Sequence, residues 1–284
     1  MKRLLTLLVL TGTLFAQANN IFTLNPSVSS AAMGNVGIAN ANPKHIFHNP
    51  AFAGLNEHTH EVSYVDWLPN LTDDMGYQSI SITSKRGFST EIFYFNYGTQ
   101  IQSDQYGVVL GDFESSSFRV SGGYGFGFRD WLVGARLNLY NHSFIDDYDV
   151  KMNYGFDIGA YKEFGNTSLG LVLKDVGGET EFLDQKLNLP MSVGIGVGQK
   201  FGDFTLSSDV KFFEDYNSIG LGGEYNLGIA SLKLGYYTES EFDVDYLTFG
   251  GGINAGIVDI SLAYYYNTDS FYNETLMISF GFDL

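Results

Sequence analysis

From residue 58 onward the chain alternates apolar with small or polar residues, again and again, in stretches of about ten residues. Met191, Val193, Ile195 and Val197 are separated by Ser192, Gly194 and Gly196. Ile260, Leu262, Tyr264 and Tyr266 alternate with Ser261, Ala263 and Tyr265, and Leu276, Ile278, Phe280 and Phe282 with Met277, Ser279 and Gly281. Side chains on a strand point to opposite faces in turn, so each stretch has one greasy face and one small or polar face. The pattern predicts fourteen strands, near 59–67, 75–84, 87–97, 114–126, 129–141, 150–163, 166–174, 189–201, 203–212, 217–226, 229–238, 245–255, 257–267 and 273–284.

The connections divide into two kinds. Tight links fall at Ser84–Gly87, Gly127–Asp130, Gly165-Asn166, Gly202, Gly228 and Ala255-Gly256. Most of the others are longer: Leu68 to Asp74, Gly98 to Phe113, His142 to Asp149, Asp175 to Asn188 and Thr238 to Val244. Short turns at one rim, long loops at the other and an even strand number describe a barrel of the bacterial outer membrane. Strands of about ten residues suffice to cross a bilayer when tilted. A soluble β-sandwich also alternates, but its solvent face is normally charged, whereas here the second face is mostly Gly, Ser and Thr. The expected fold class is therefore all-β, a transmembrane antiparallel barrel of about fourteen strands. The acids Asp73, Asp104, Asp112, Asp146, Asp147, Asp175, Asp184, Glu241 and Asp243 all fall on the long-loop side.

The first residues fit this compartment. Lys2 and Arg3 precede an apolar run from Leu4 to Phe15, and Ala16-Gln17-Ala18 follows, the layout of a secretory signal peptide cut after Ala18. The reading is a signal peptide over 1–18, an amino-terminal segment over 19–57 and a barrel over 58–284. The absence of Cys excludes disulfides and thiolate chemistry, and a net charge of −17 argues against nucleic-acid partners.

If the greasy face meets lipid, the other face lines the lumen. That places Arg119, Arg136, Asp157, Lys174, Asp209, Lys211, Glu224, Lys233 and Asp259 inside. Arg or Lys would cost about 2–4 kcal/mol each near the bilayer midplane on the lipid side. These charges read either as a polar path or as a paired network that stiffens the wall and holds a plug, and the second is favoured. The filler would be the segment before the first strand, small, apolar and without barrel alternation.

No catalytic constellation is expected. His142-Ser143 near Asp146 and Asp147 has nothing to fix its geometry. His58-Thr59-His60 sets two imidazoles on one side of a strand start, but without a third ligand nearby the expectation is no metal site. The acidic loops read as solvated charge, and no cofactor is expected.

Two motifs carry a resemblance. Ala31-Ala32-Met33-Gly34-Asn35-Val36-Gly37, followed by Phe47-His48-Asn49-Pro50-Ala51, resembles the amino-terminal signature of the PorV/PorQ family, within the wider FadL-like group of outer-membrane barrels. Ser63 to Leu68, Asn96-Tyr97-Gly98, Gly111-Asp112-Phe113, Asp157-Ile158-Gly159 and Leu234-Gly235-Tyr236 recur in family-like order. The run Asn40 to His45 departs from the acidic stretch usual before Asn-Pro-Ala. The resemblance implies a fourteen-stranded barrel with an inward-folded hatch containing Met33, Gly34, Gly37, Asn49, Pro50 and Ala51. It implies partnership with type IX secretion proteins or their cargo at the cell surface, with passage of hydrophobic small molecules across the outer membrane as the alternative. Either way, outer-membrane lipid is a partner.

Overall fold

The computed structural model describes residues 18–69, 74–103, 106–143, 152–182, 185–240, 244–267 and 275–283. The expected signal peptide, apart from Ala18, lies outside these residues, as do Asp73, Asp104, Asp146, Asp147, Asp149, Asp184, Glu241 and Asp243.

Alternation becomes a wall. The strands are β1 (Thr59–Asp66), β2 (Gly76–Thr83), β3 (Phe88–Ser103), β4 (Val109–Phe128), β5 (Trp131–Ser143), β6 (Asn153–Phe164), β7 (Thr167–Gly177), β8 (Glu179–Phe182), β9 (Gln185–Asn188), β10 (Ser192–Phe201), β11 (Phe204–Phe213), β12 (Asn217–Asn226), β13 (Ala230–Glu239), β14 (Val244–Ala255), β15 (Val258–Tyr266) and β16 (Leu276–Asp283). Fourteen of them form one closed sheet in which each pairs with its neighbour in sequence, β7 passing to β10 and β16 closing on β1. Every pairing is antiparallel, and closure runs from Thr59↔Asp283 to Asp66↔Leu276. The tight turns at one rim carry glycines with left-handed backbone at Gly87, Gly165, Gly202, Gly228 and Gly256. Asn226 and Asn254 side chains accept from the backbone N–H of Gly228 and Gly256, which fixes two of these turns.

The outward residues form an apolar belt: Val62, Ile80, Ile92, Val120, Phe156, Val193, Leu221, Leu234, Phe249, Leu262 and Phe280 are all exposed. In water such a surface would drive aggregation. Against hydrocarbon it is the surface a barrel needs, since closure leaves no unpaired strand edge. This is a barrel of the bacterial outer membrane. The short-turn rim is the periplasmic one and the long-loop rim the outer one.

Two departures from the sequence pattern have local causes. Strands β3 and β4 were expected to stop near 97 and start near 114. They continue as a two-stranded ribbon, Thr99↔Glu114 to Ser103↔Val109, beyond a register shift between Asn96 and Thr99. Gly98 at φ 73° takes up the irregularity, and the ladder resumes because main-chain pairing needs no lipid-facing alternation. Asp112 therefore lies in a strand. The link from Asp175 to Asn188 is likewise not all loop: β7 runs to Gly177, and β8 and β9 form a small separate hairpin.

Candidate functional site

The space inside the wall is filled by residues 21–55. Short helical turns at Ala18–Thr23, Val28–Ala31, Pro43–His45 and Pro50–Leu55 fold this stretch compactly, and Phe22, Val28, Met33, Val36, Ile38, Ile46 and Phe52 are wholly buried.

A belt of inward glycines explains how it fits. A Cβ built on Gly125 would strike Gly54 and Ala53; on Gly134, Pro50 and Ala51; on Gly159, Asn49 and Pro50; on Gly170, Ile38. On Gly196 it would strike Ile38 and Ala39; on Gly222, Met33; on Gly235, Met33 and Gly34; on Gly250, Ala32. These glycines sit on β4, β5, β6, β7, β10, β12, β13 and β14 in order. The segment thus circles the inner wall, its residue numbers falling as strand numbers rise, with its backbone laid directly on the wall's backbone.

Polar clamps fix the ring in place. Asp209 Oδ2 accepts from the backbone N–H of Gly37 at 2.7 Å and of Ile38 at 2.9 Å. Thr248 accepts from the N–H of Gly34, and Ser168 donates to the carbonyl of Ala39. Asn49 Nδ2 donates to the carbonyls of Ile38 and Ala160, while its Oδ1 caps the next turn at the N–H of Ala51. Pro50 opens that turn, where a missing N–H costs nothing. Lys44, 8% exposed, meets Asp259 at 3.1 Å and Asp283 at 3.5 Å near the periplasmic rim.

Within the segment, His48 Nε2 lies 2.7 Å from Ser30 Oγ and 3.0 Å from Asn25 Oδ1, and Asn25 also reaches Asn35. Tyr77 and Tyr265 donate to this node from the wall, at the carbonyl of Asn25 and at Asn35 Oδ1. His45 Nδ1 donates to the carbonyl of Asn40. Burial lowers the pKa of His45 to about 4, and burial with nearby Lys211 lowers that of His48 well below 6.5, so both imidazoles are neutral.

Midway along the lumen the Phe47 ring is surrounded by cations. Lys174 Nζ lies 3.6 Å from its centroid, and the Arg119 and Arg136 guanidinium carbons at 4.8 and 5.8 Å. Each guanidinium also has an acid: Arg119 meets Glu91 at 2.5 Å, and Arg136 meets Asp157 at 2.7 Å. Arg136 donates to the carbonyls of Ile46 and Phe47, and Arg119 to that of Phe22. A register shift between Phe156 and Ile158, with Asp175 at φ 55°, turns both Lys174 and Asp175 into buried positions. Asp175 accepts from the Tyr140 hydroxyl, and its own N–H donates to Asp157. Asp175, expected among the loop acids, is thus a buried wall residue.

Of the other charges expected inside, Lys233 pairs with Glu224 at 2.5 Å and Asp259 with Lys44. Lys211 is half-buried on the inward side of β11, next to Gly194. The nine charges therefore lie in separate places: four around Phe47, Asp209 under the Gly37 turn with Lys211 beside it on the same strand, and three near the periplasmic rim. Glu91, Glu61, Lys44 and Tyr140 were missed. Glu61 and Glu91 share parity with Ser63 and Ser89, which was the available signal.

Toward the outer rim the interior becomes aromatic. Tyr77, Phe93, Phe95, Tyr140, Tyr246 and Tyr265 line it, with Val65 and Met277, and Trp67 and Tyr97 pack against them. The Phe22 ring occupies this chamber, 4.7 Å from the Tyr140 ring and 4.9 Å from that of His142. Below it the wall presents Glu61, Ser63, Ser81, Thr83, Ser89, Ser261 and Ser279, all buried. An apolar, ring-lined chamber thus sits above a hydroxyl-lined floor.

The chain is thus a closed up-and-down barrel of fourteen strands, apolar outside and filled inside by an amino-terminal ring. Among solved structures, the chain resembles the Ralstonia pickettii toluene transporter TbuX (TM-score 0.64, 15% identity, 92% of this chain and 98% of that one). It resembles a Pseudomonas aeruginosa FadL homologue (0.63, 10%, 90% and 98%) and the Pseudomonas putida toluene transporter TodX (0.59, 12%, 90% and 96%). At these identities the likeness is one of fold. No family profile and no curated protein matches the chain by sequence.

Proposed function

We propose that this barrel carries hydrophobic small molecules across the outer membrane, with residues 19–57 as a hatch. The observation that supports this is the aromatic chamber at the outer end. A wall that only had to be stiff could fill its lumen with paired charges, as it does around Phe47. A cage of Phe93, Tyr140 and His142 holding a phenyl ring has instead the chemistry to hold an apolar, ring-bearing ligand. Phe22 stands where such a ligand would sit, on a segment held by discrete polar clamps rather than by strand pairing. The fold shared with toluene transporters agrees with this reading.

The test is uptake of radiolabelled toluene by cells with and without the chain, the folded barrel being verified in the membrane. Faster initial uptake with the barrel, lowered by Tyr140→Ala, is expected. Equal uptake with and without it would end the proposal. The secretion role implied by the PorV/PorQ resemblance stands as the second possibility, but no feature of the described residues favours it.

A further inference from the structure

His58 and His60 stand apart from everything above. They flank Thr59 at the start of β1, half-exposed at the periplasmic rim. His60 has the outward parity of Val62 and Tyr64, and pairs with Ile82 and Phe282. Their Nε2 atoms are 3.0 Å apart and their rings perpendicular. His58 Nδ1 lies 2.8 Å from the carbonyl oxygen of Thr83. A carbonyl only accepts, so Nδ1 carries the proton and Nε2 of His58 carries the lone pair. Donation of the remote N–H to a backbone carbonyl is how metal-binding imidazoles are commonly oriented. Thr83 fixes the rest of the joint as well, its hydroxyl donating to the carbonyl of Glu57 and meeting the Thr59 hydroxyl at 2.9 Å.

We propose that His58 and His60 form a two-nitrogen site for a late divalent transition metal, with Cu2+ preferred. Metal–nitrogen bonds of about 2.0–2.1 Å spanning this separation enclose an angle of roughly 95°, the cis angle of a square-planar or octahedral ion. Imidazole ligands favour Cu2+, then Ni2+ and Zn2+, in the general order of divalent affinities. In the free protein His60 Nε2–H donates to His58. On binding, that proton moves through solvent to His60 Nδ1, and both Nε2 lone pairs meet the ion with no net proton released. Among the described residues no third His, Asp or Glu joins the pair, so water completes the coordination. The position matters: Asn56, at φ 58°, ends the amino-terminal segment, and β1 begins at Thr59. A metal on His58 and His60 holds the start of β1, immediately after the amino-terminal segment ends.

The test is titration of Cu2+ alone, then Ni2+ and Zn2+, into the detergent-solubilised mature barrel. The His58→Ala/His60→Ala double variant serves as the baseline for binding elsewhere. One Cu2+ bound at least tenfold more tightly than in the double variant is expected. Its electron spin resonance spectrum should be split by two nitrogens, and each single variant should fall to the baseline. Superimposed isotherms for wild type and double variant, or full affinity in either single variant, overturn the proposal. Should a variant fail to fold, diethyl pyrocarbonate labelling of the wild type decides. Cu2+ must protect His58 and His60 together, and labelling unchanged by Cu2+ counts as refutation.

Discussion

Replacing Gly134 with Ala adds one methyl group where the wall touches the amino-terminal ring. That carbon would lie 2.7 Å from the backbone nitrogen of Ala51 and nearer still to the carbonyl of Pro50. Both neighbours are backbone and cannot rotate away, so the ring must back off by about 1 Å. Overpacking of this kind costs about 1–3 kcal/mol. Because the strain falls on the docked state, the ratio of displaced to docked segment should rise about 5- to 150-fold. The chain carries its own reporter: Lys44 is the only Lys or Arg between Arg3 and Lys85, and it is buried. Trypsin added to the detergent-solubilised barrel should cut after Lys44 in proportion to the displaced population, provided docking is fast relative to cleavage. Gly122→Ala is the control, since its added carbon meets nothing within 4 Å. If Gly134→Ala is cut at Lys44 no faster than wild type and Gly122→Ala, the glycine belt does not seat the ring and the reasoning fails.

Two further outcomes follow from the same ring. Asp209→Ala leaves the buried N–H groups of Gly37 and Ile38 without an acceptor, at about 1–3 kcal/mol each, so tryptic cleavage at Lys44 should rise tenfold or more. Asp209→Asn keeps one carbonyl acceptor and should fall between; identical rates in all three proteins would show that these bonds do not hold the ring. Burial keeps His45 neutral down to about pH 4, against an ordinary value of 6.5. Its contribution to stability is therefore complete above pH 6.5 and is lost as pH falls toward 4, up to about 3 kcal/mol. The temperature at which the folded band disappears on unboiled gels should drop more for wild type than for His45→Gln between pH 7.5 and 5, and parallel drops would count against this assignment.

Where one face of a strand is greasy and the other small, as in Met191 to Val197, the wall can be read directly from the residues. The alternation of tight and long links supplies the direction. The reading thins where both faces are apolar: in Phe93-Tyr94-Phe95 the period of two disappears, so the aromatic chamber left no trace in the pattern. Bulges are equally silent, and a local pattern cannot show that Asp175 turns inward beside Lys174. The inward glycines were legible only as small residues. That each marks a touching piece of residues 32–54 depends on contacts between distant parts of the chain. So does the meeting of Lys44 with Asp259 and Asp283.

The seam between β1 and β16 has a consequence for biogenesis. The sheet becomes a tube only when its first and last strands meet, and the closed tube encloses the amino-terminal segment. Lys44 meets Asp283 on β16, the strand that completes the circle, and Asp259 on its neighbour β15. The strand that closes the circle is thus tied by an ion pair to the segment it encloses, so closure and the seating of that segment are coupled.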